Sequence, residues 1–298
     1  HYALLQRAVA SGHRIFELLD IPLAIADKPD AQPIGDTSGR IEFKDVTFGY
    51  DPERPILRNI SFVAEPGQTI ALVGPTGSGK TSITALAHRF YDVQEGSITI
   101  DGYDIRDVMQ ESIGDVMGMV LQEPFLFSKP VLENVRYNTL DATREDVVTA
   151  CKVIGAHDFV MQLDNGYDTT LEQRGSNLSV GQRQLLSFAR ALVADPKILV
   201  LDEATANIDS YTERIIQDAL KKLLAGRTAL VIAHRLSTIR NADRIIVVRD
   251  GEITETGTHV ELVASDGLYA QLWKTNYASF DDIADNADDI TRIPATST

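Results

Sequence analysis

The chain has 298 residues, 44% hydrophobic and 24% charged, enough to bury a core without disulfide or metal staples. Forty-three acids against 28 bases leave a net charge of −15, which argues against nucleic acid as the main partner and against a polybasic membrane anchor. The single cysteine, Cys151, cannot close an internal disulfide and points to a reducing compartment. No apolar run approaches the roughly 20 residues that span a bilayer, no signal peptide is visible, and a start at His1 reads as a piece of a longer protein.

In residues 1–20, Leu4, Leu5, Ala8, Val9, Gly12, Ile15, Phe16 and Leu19 recur at three- and four-residue spacing, which predicts a helix. It either packs on its own domain or ends something longer upstream. Residues 22–39 hold Pro22, Pro29, Pro33, Gly35 and Gly39 and read as a linker. Ile41–Phe48 alternates as a strand, with a one-residue slip at Asp45. Ile60–Val63 and Thr69–Val73 predict further strands, and Ser82–Phe90 a helix. Ser97–Ile100 followed by Asp101-Gly102 predicts a hairpin. Residues 131–194 are mostly helical in pattern. Lys197–Asp202, Thr228–Ala233 and Arg244–Val248 are short β-branched runs separated by helical segments. Strands alternating with helices imply an α/β domain with a mostly parallel sheet covered on both faces. From Phe280 onward, Asp281, Asp282, Asp285, Asp288 and Asp289 with few large apolar residues predict a solvated, disordered tail.

The strongest chemical signal is Gly74-Pro75-Thr76-Gly77-Ser78-Gly79-Lys80-Thr81, between a predicted strand and a predicted helix. It fits G-x-x-x-x-G-K-[ST], in which backbone N–H groups curl round phosphate oxygens and the helix presents its positive end. Lys80 would then place a point charge on the β- and γ-phosphates. The Thr81 hydroxyl, with Ser82 beside it, would face the bound metal. The second signal is the apolar run Lys197–Leu201 ending in Asp202 and Glu203. Strand ends are where ligands sit in such sheets; Asp202 would hold Mg²⁺ and Glu203 would orient and deprotonate an attacking water. The third is Asn177-Leu178-Ser179-Val180-Gly181-Gln182, where Ser179 reads either as a helix N-cap or as part of an anion site.

These motifs, in this order, resemble the ATP-binding cassette (ABC) ATPase family over roughly residues 40–275. The resemblance implies ATP and Mg²⁺ as ligands, a P-loop core with an N-terminal antiparallel β subdomain, and an inserted helical subdomain at about 125–194. It marks Ser179, Gly181 and Gln182 as the signature loop and Gln122 as the Mg²⁺-sensing glutamine. It marks His234 as the γ-phosphate switch, Tyr50 as the ring stacked on adenine, and the stretch through Ala206, Asn207, Ile208 and Asp209 as the loop crossing to a second cassette. Phe125–Ser128, Glu133–Val135, Ala233–Ala242 and Asp250–His259 are similar to cassettes fused to exporter membrane domains, and residues 1–20 to the end of their last membrane helix. That implies a cassette at the cytoplasmic face of a membrane, driving export through a membrane domain outside the sequence. A soluble ABC ATPase of DNA repair or translation is the alternative.

Two positions depart from the family pattern. Val180 stands where the signature loop has glycine, which predicts added bulk and lost access to positive φ. Gln173 stands where an acid is usual, with Glu172 as its nearest substitute. An intact hydrolytic set beside an off-pattern signature leaves the second cassette open: an identical copy, or a different chain with a standard signature.

Overall fold

The computed structural model describes residues 2–21, 25–137, 139, 141–202, 209–233 and 235–276. In chain order the first elements are α1 (Tyr2–Leu19), β1 (Ile41–Phe48), β2 (Leu57–Ala64), β3 (Thr69–Val73), α2 (Lys80–Ala87), β4 (Glu95–Ile100), β5 (Tyr103–Asp104), α3 (Gln110–Val116) and β6 (Met117–Val120). Then come α4 (Val131–Arg136), α5 (Arg144–Ile154), α6 (His157–Met161), α7 (Val180–Ala194), β7 (Ile198–Asp202), α8 (Ser210–Leu224) and β8 (Thr228–Ile232). The last are α9 (Leu236–Asn241), β9 (Arg244–Arg249), β10 (Glu252–Gly257), α10 (His259–Ala264) and α11 (Leu268–Asn276). The acidic stretch from Phe280 lies outside the described residues.

An antiparallel sheet runs in the order β2-β1-β4-β5. The slip at Asp45 is a β-bulge: Phe43 pairs with Phe62 and Val46 with Ile60, so β1 carries one extra residue. Asp45 takes φ 50° there, and its N–H donates to Ser61 Oγ at 2.8 Å. The bulge keeps Ile41, Phe43, Val46 and Phe48 all buried on one face, where Phe43 stacks on Phe62.

The second sheet runs β10-β9-β3-β8-β7-β6, parallel throughout except for the antiparallel β9–β10 hairpin. Its central strands are apolar on both faces, as a covered parallel sheet requires. Ile70, Leu72, Ile198, Val200, Leu230 and Ile232 pack with Phe43, Leu57, Ile83 and Leu86 from the antiparallel sheet and α2. The alternate residues Ala71, Leu199, Leu201, Ala229 and Val231 pack with Leu186, Phe188, Ile216 and Leu220 of α7 and α8. The period of two therefore divides each strand between two cores. Helices α4 to α7 are inserted between β6 and β7, which are neighbours in the sheet. Among the described residues no helix is long and apolar enough to cross a membrane. Val9, Ile15, Phe16, Leu18 and Leu19 of α1 are all exposed.

Residues 25–40 have the composition of a linker but are fastened along their length. Ala31 is buried, Ile34 N–H donates to Ser112 Oγ, and the Asp101 carboxylate accepts from Thr37, Ser38 and Arg40. The deepest fastening is Arg89, just past α2 and 1% exposed. It donates to the Val108 carbonyl at 3.0 Å, to Asp27 Oδ1 at 3.2 Å and to Asp92 Oδ1 at 3.2 Å. Pro and Gly set an irregular backbone here, but whether its polar groups find partners is a tertiary matter. Arg89→Leu is expected to lower stability by about 2–3 kcal/mol, because the two half-exposed carboxylates keep water while the Val108 carbonyl loses its buried donor. Urea unfolding reads this; a change below about 0.5 kcal/mol, the range of an ordinary surface substitution, would show that the fastening contributes nothing.

Candidate functional site

The Gly-rich loop joins β3 to α2 and is braced from beneath by the β9–β10 turn, where Gly251 N–H donates to the Ser78 carbonyl. A side chain at Gly74 would put its Cβ 2.0 Å from the Val248 carbonyl oxygen, so only glycine lets the loop leave the strand here. Gly79 caps α2 at φ 105° and offers no side-chain hydrogen bond to the helix N-terminus. The first N–H groups of α2 are thus left for an anion. Lys80 is 8% exposed and folds back on the loop, donating to the Gly74 and Pro75 carbonyls at 2.8 Å each. Burial pulls its ammonium below the ordinary lysine range, and the Asp202 carboxylate partly restores it.

A cleft of about 440 Å³ opens above the loop. It is lined by Thr76, Gly77, Gly79, Lys80, Thr81 and Ser82, by Gln122 after β6, by Asp202 at the end of β7, and by Ile56 and Ile232. Parallel strands explain this gathering: β3, β6, β7 and β8 all end at one sheet edge. Tyr50 stands beside the cleft, sharing a hydrogen bond of 3.2 Å with Ser82. Its ring is 53% exposed and braced edge-on by Phe48 and Tyr91 at 5.1 and 5.0 Å. Glu203, His234 and the stretch Ala206, Asn207, Ile208 lie outside the described residues. Chain order puts Glu203 directly after Asp202, and His234 two residues after Ile232.

Ser179, Gly181 and Gln182 do not line this cleft. They open α7, where Ser179 Oγ accepts Gln182 N–H and Gln182 Oε1 accepts Ser179 N–H, a reciprocal capping box. Both readings of Ser179 therefore stay compatible, since a hydroxyl that accepts one bond keeps its own proton to donate. The expected backbone cost of Val180 does not arise. Val180 is the first residue of α7, absent from the residues with positive φ, and 40% exposed. The neighbour that must be glycine is Gly181, whose Cβ would fall 2.3 Å from Thr212 Cγ2 on α8. Asp209 caps α8, accepting Thr212 N–H at 3.0 Å and Tyr211 N–H at 3.1 Å, and these bonds hold its carboxyl below the usual range. Glu172 accepts from Ser176 Oγ at 2.8 Å and so is tied to its own loop.

Sequence reasoning did not single out Ile56 or Ile232, which wall the cleft, nor Arg235, which is 9% exposed between α7 and α8. The signal for Arg235 was its place beside His234, but its partners are remote in sequence.

A glycine-rich loop wrapped round a buried lysine, facing an acidic strand end across one edge of a parallel sheet, defines a P-loop nucleotide-binding protein. The sequence model of the family described as ABC transporter matches residues 57–206. The chain belongs to the ABC transporter family and is an ATPase domain of it. It is 50% identical over 262 residues to the β-(1→2)glucan export ATP-binding/permease protein NdvA of Nitrobacter winogradskyi, covering 88% of this chain and 43% of that protein. It is 47% identical over 269 residues to the ATP-dependent lipid A-core flippase of Desulfotalea psychrophila, covering 90% of this chain and 47% of that protein. Among solved structures it is similar to a bacterial Atm1-family ABC exporter with ATP bound, with a TM-score of 0.85 and 39% identity, covering 93% of this chain and 48% of that one. The chain thus spans about half the length of the curated relatives it matches.

Proposed function

We propose that this chain is the nucleotide-binding cassette of an exporter. On this reading it binds and hydrolyses ATP at the cytoplasmic face of a membrane and powers a membrane domain outside the sequence. The observation that carries the reading is the single cleft in which Lys80, Thr81, Gln122 and Asp202 meet. Lys80 would exchange the Gly74 and Pro75 carbonyls for phosphate oxygens, and the N–H groups at the start of α2 would hold the rest of the phosphate chain. Tyr50 would present its exposed ring to the base. The oxygen donors Thr81, Gln122 and Asp202 suit Mg²⁺, which takes one or two carboxylates plus phosphate oxygens, not an all-protein cage. When bound, the ion supplies neutralising charge at the phosphates. Glu203 would orient and deprotonate the attacking water, and His234 would hold the γ-phosphate.

Ser179, Gly181 and Gln182 stand apart from the chain's own cleft, which supports their use on a second cassette closed head to tail, with Asp209 in the crossing loop. The helical geometry of Val180 favours an identical copy over a heterodimer, since it removes the strain argument. If mixing with a different half-transporter chain raises hydrolysis well above that of this chain alone, the heterodimer takes its place. The cargo is not assigned: relatives of similar identity are named for a glucan and for lipid A-core. Nothing in these relatives favours a role in DNA repair or translation.

Calorimetry with Mg²⁺·ATP is expected to show one nucleotide bound per chain, and phosphate release is expected to rise faster than linearly with protein concentration. Absence of nucleotide uptake by folded protein overturns the reading.

A further inference from the structure

Arg235 is the first described residue after His234, and its guanidinium is buried where three elements meet. Its Nη2 donates to Gln184 Oε1 of α7 at 3.2 Å, and its Nη1 pairs with Glu213 Oε1 of α8 at 3.2 Å. Gln184 is itself buried, at 6% exposure, and Glu213 is steadied by Gln217 Nε2 at 2.9 Å. A second rung follows, from Ser237 Oγ to Gln217 of α8. The helices so bridged are those whose first turns carry Ser179 and Asp209. They touch at those ends, since Thr212 fills the space a side chain at Gly181 would need.

We infer that Arg235 is a positioning residue that ties the segment behind the chain's own phosphate switch to the signature helix it presents to its partner. The inference rests on the head-to-tail reading above. A planar fork that holds one group on each helix moves both when the segment after β8 moves. Loss of the γ-phosphate at one site then shifts the Ser179 end of α7, which belongs to the other site. A lysine keeps the charge but lacks the planar fork that presents one nitrogen to each helix.

The test compares parent, Arg235→Met and Arg235→Lys, with Gln184→Leu and Glu213→Gln removing one arm of the fork each. Binding of a fluorescent ATP analogue is expected to stay within about twofold of parent in every variant, because no ligand contact changes. The Hill coefficient of hydrolysis is expected to fall from about 2 toward about 1. Turnover is expected to fall by about tenfold in Arg235→Met and by less in the single-arm variants. Arg235→Lys is expected to behave like Arg235→Met. A cooperative parent whose Arg235→Met and single-arm variants keep its Hill coefficient and turnover overturns the inference alone. A parent whose hydrolysis is linear in protein concentration overturns the head-to-tail reading beneath it. Should Arg235→Met fail to fold, the two single-arm variants carry the same decision.

Discussion

Glu203→Gln is expected to bind Mg²⁺·ATP like the parent and to lose turnover by about 10²- to 10⁴-fold, the range a general base contributes. The expectation is built from the strand before it. Ile198–Leu201 is wholly buried between the two cores, so β7 is fixed in place and Asp202 reaches the cleft. Glu203 follows Asp202 directly in the sequence, and on the proposed reading it serves the terminal phosphate held above Lys80. Glutamine preserves the size and hydrogen-bonding ends of that side chain but cannot accept the proton of an attacking water. With hydrolysis blocked, ATP stays as a ligand that binds the closed pair more tightly than the separate chains, and mass action holds the pair together. Size-exclusion chromatography with ATP is expected to show a dimer for Glu203→Gln and mostly monomer for the parent. Steady-state hydrolysis unchanged from the parent would remove Glu203 from the chemistry. Lost nucleotide binding would instead move it into the grip on the phosphates.

Much of this site was legible because its chemistry is local. The phosphate loop needs eight consecutive residues, and the strand before it announces itself as a short apolar run. The slip at Asp45 was legible for the same reason: a period of two that breaks once must bulge if both halves are to face inward. Three features were not legible, each because its cause lies elsewhere in the chain. Residues 22–39 read as a linker because the anchors of the described part, Asp101 and Arg89, lie in other elements. Val180 was expected to strain the signature loop, yet a helix begins at that residue and φ stays negative. Gly181 was read only as part of the signature loop. Its immediate necessity is Thr212, on a helix that pattern alone could not dock against it.

Lys80→Ala is expected to weaken nucleotide binding by about 10²- to 10³-fold, the cost of removing one well-placed donor from a preorganised anion site. The lysine is steadied by its own loop: two carbonyls accept from it, and Ser78 Oγ lies 3.4 Å away. Ligand binding therefore exchanges neutral acceptors for charged ones at little cost in side-chain ordering, and charge-assisted bonds are the stronger kind. Truncation removes that gain and leaves the Gly74 and Pro75 carbonyls to cleft water, so the fold itself should unfold near the parent midpoint. A fluorescent-nucleotide titration reads the affinity, and a value within about twofold of parent would show that Lys80 does not meet the phosphates. The two substitutions also fix an order of events. Lys80 acts before the pair closes and Glu203 after it, so the double variant should bind weakly and stay monomeric, as Lys80→Ala alone does. A trapped ATP-bound dimer from the double variant would place the grip on the phosphates with the backbone amides at the start of α2 and not with the lysine.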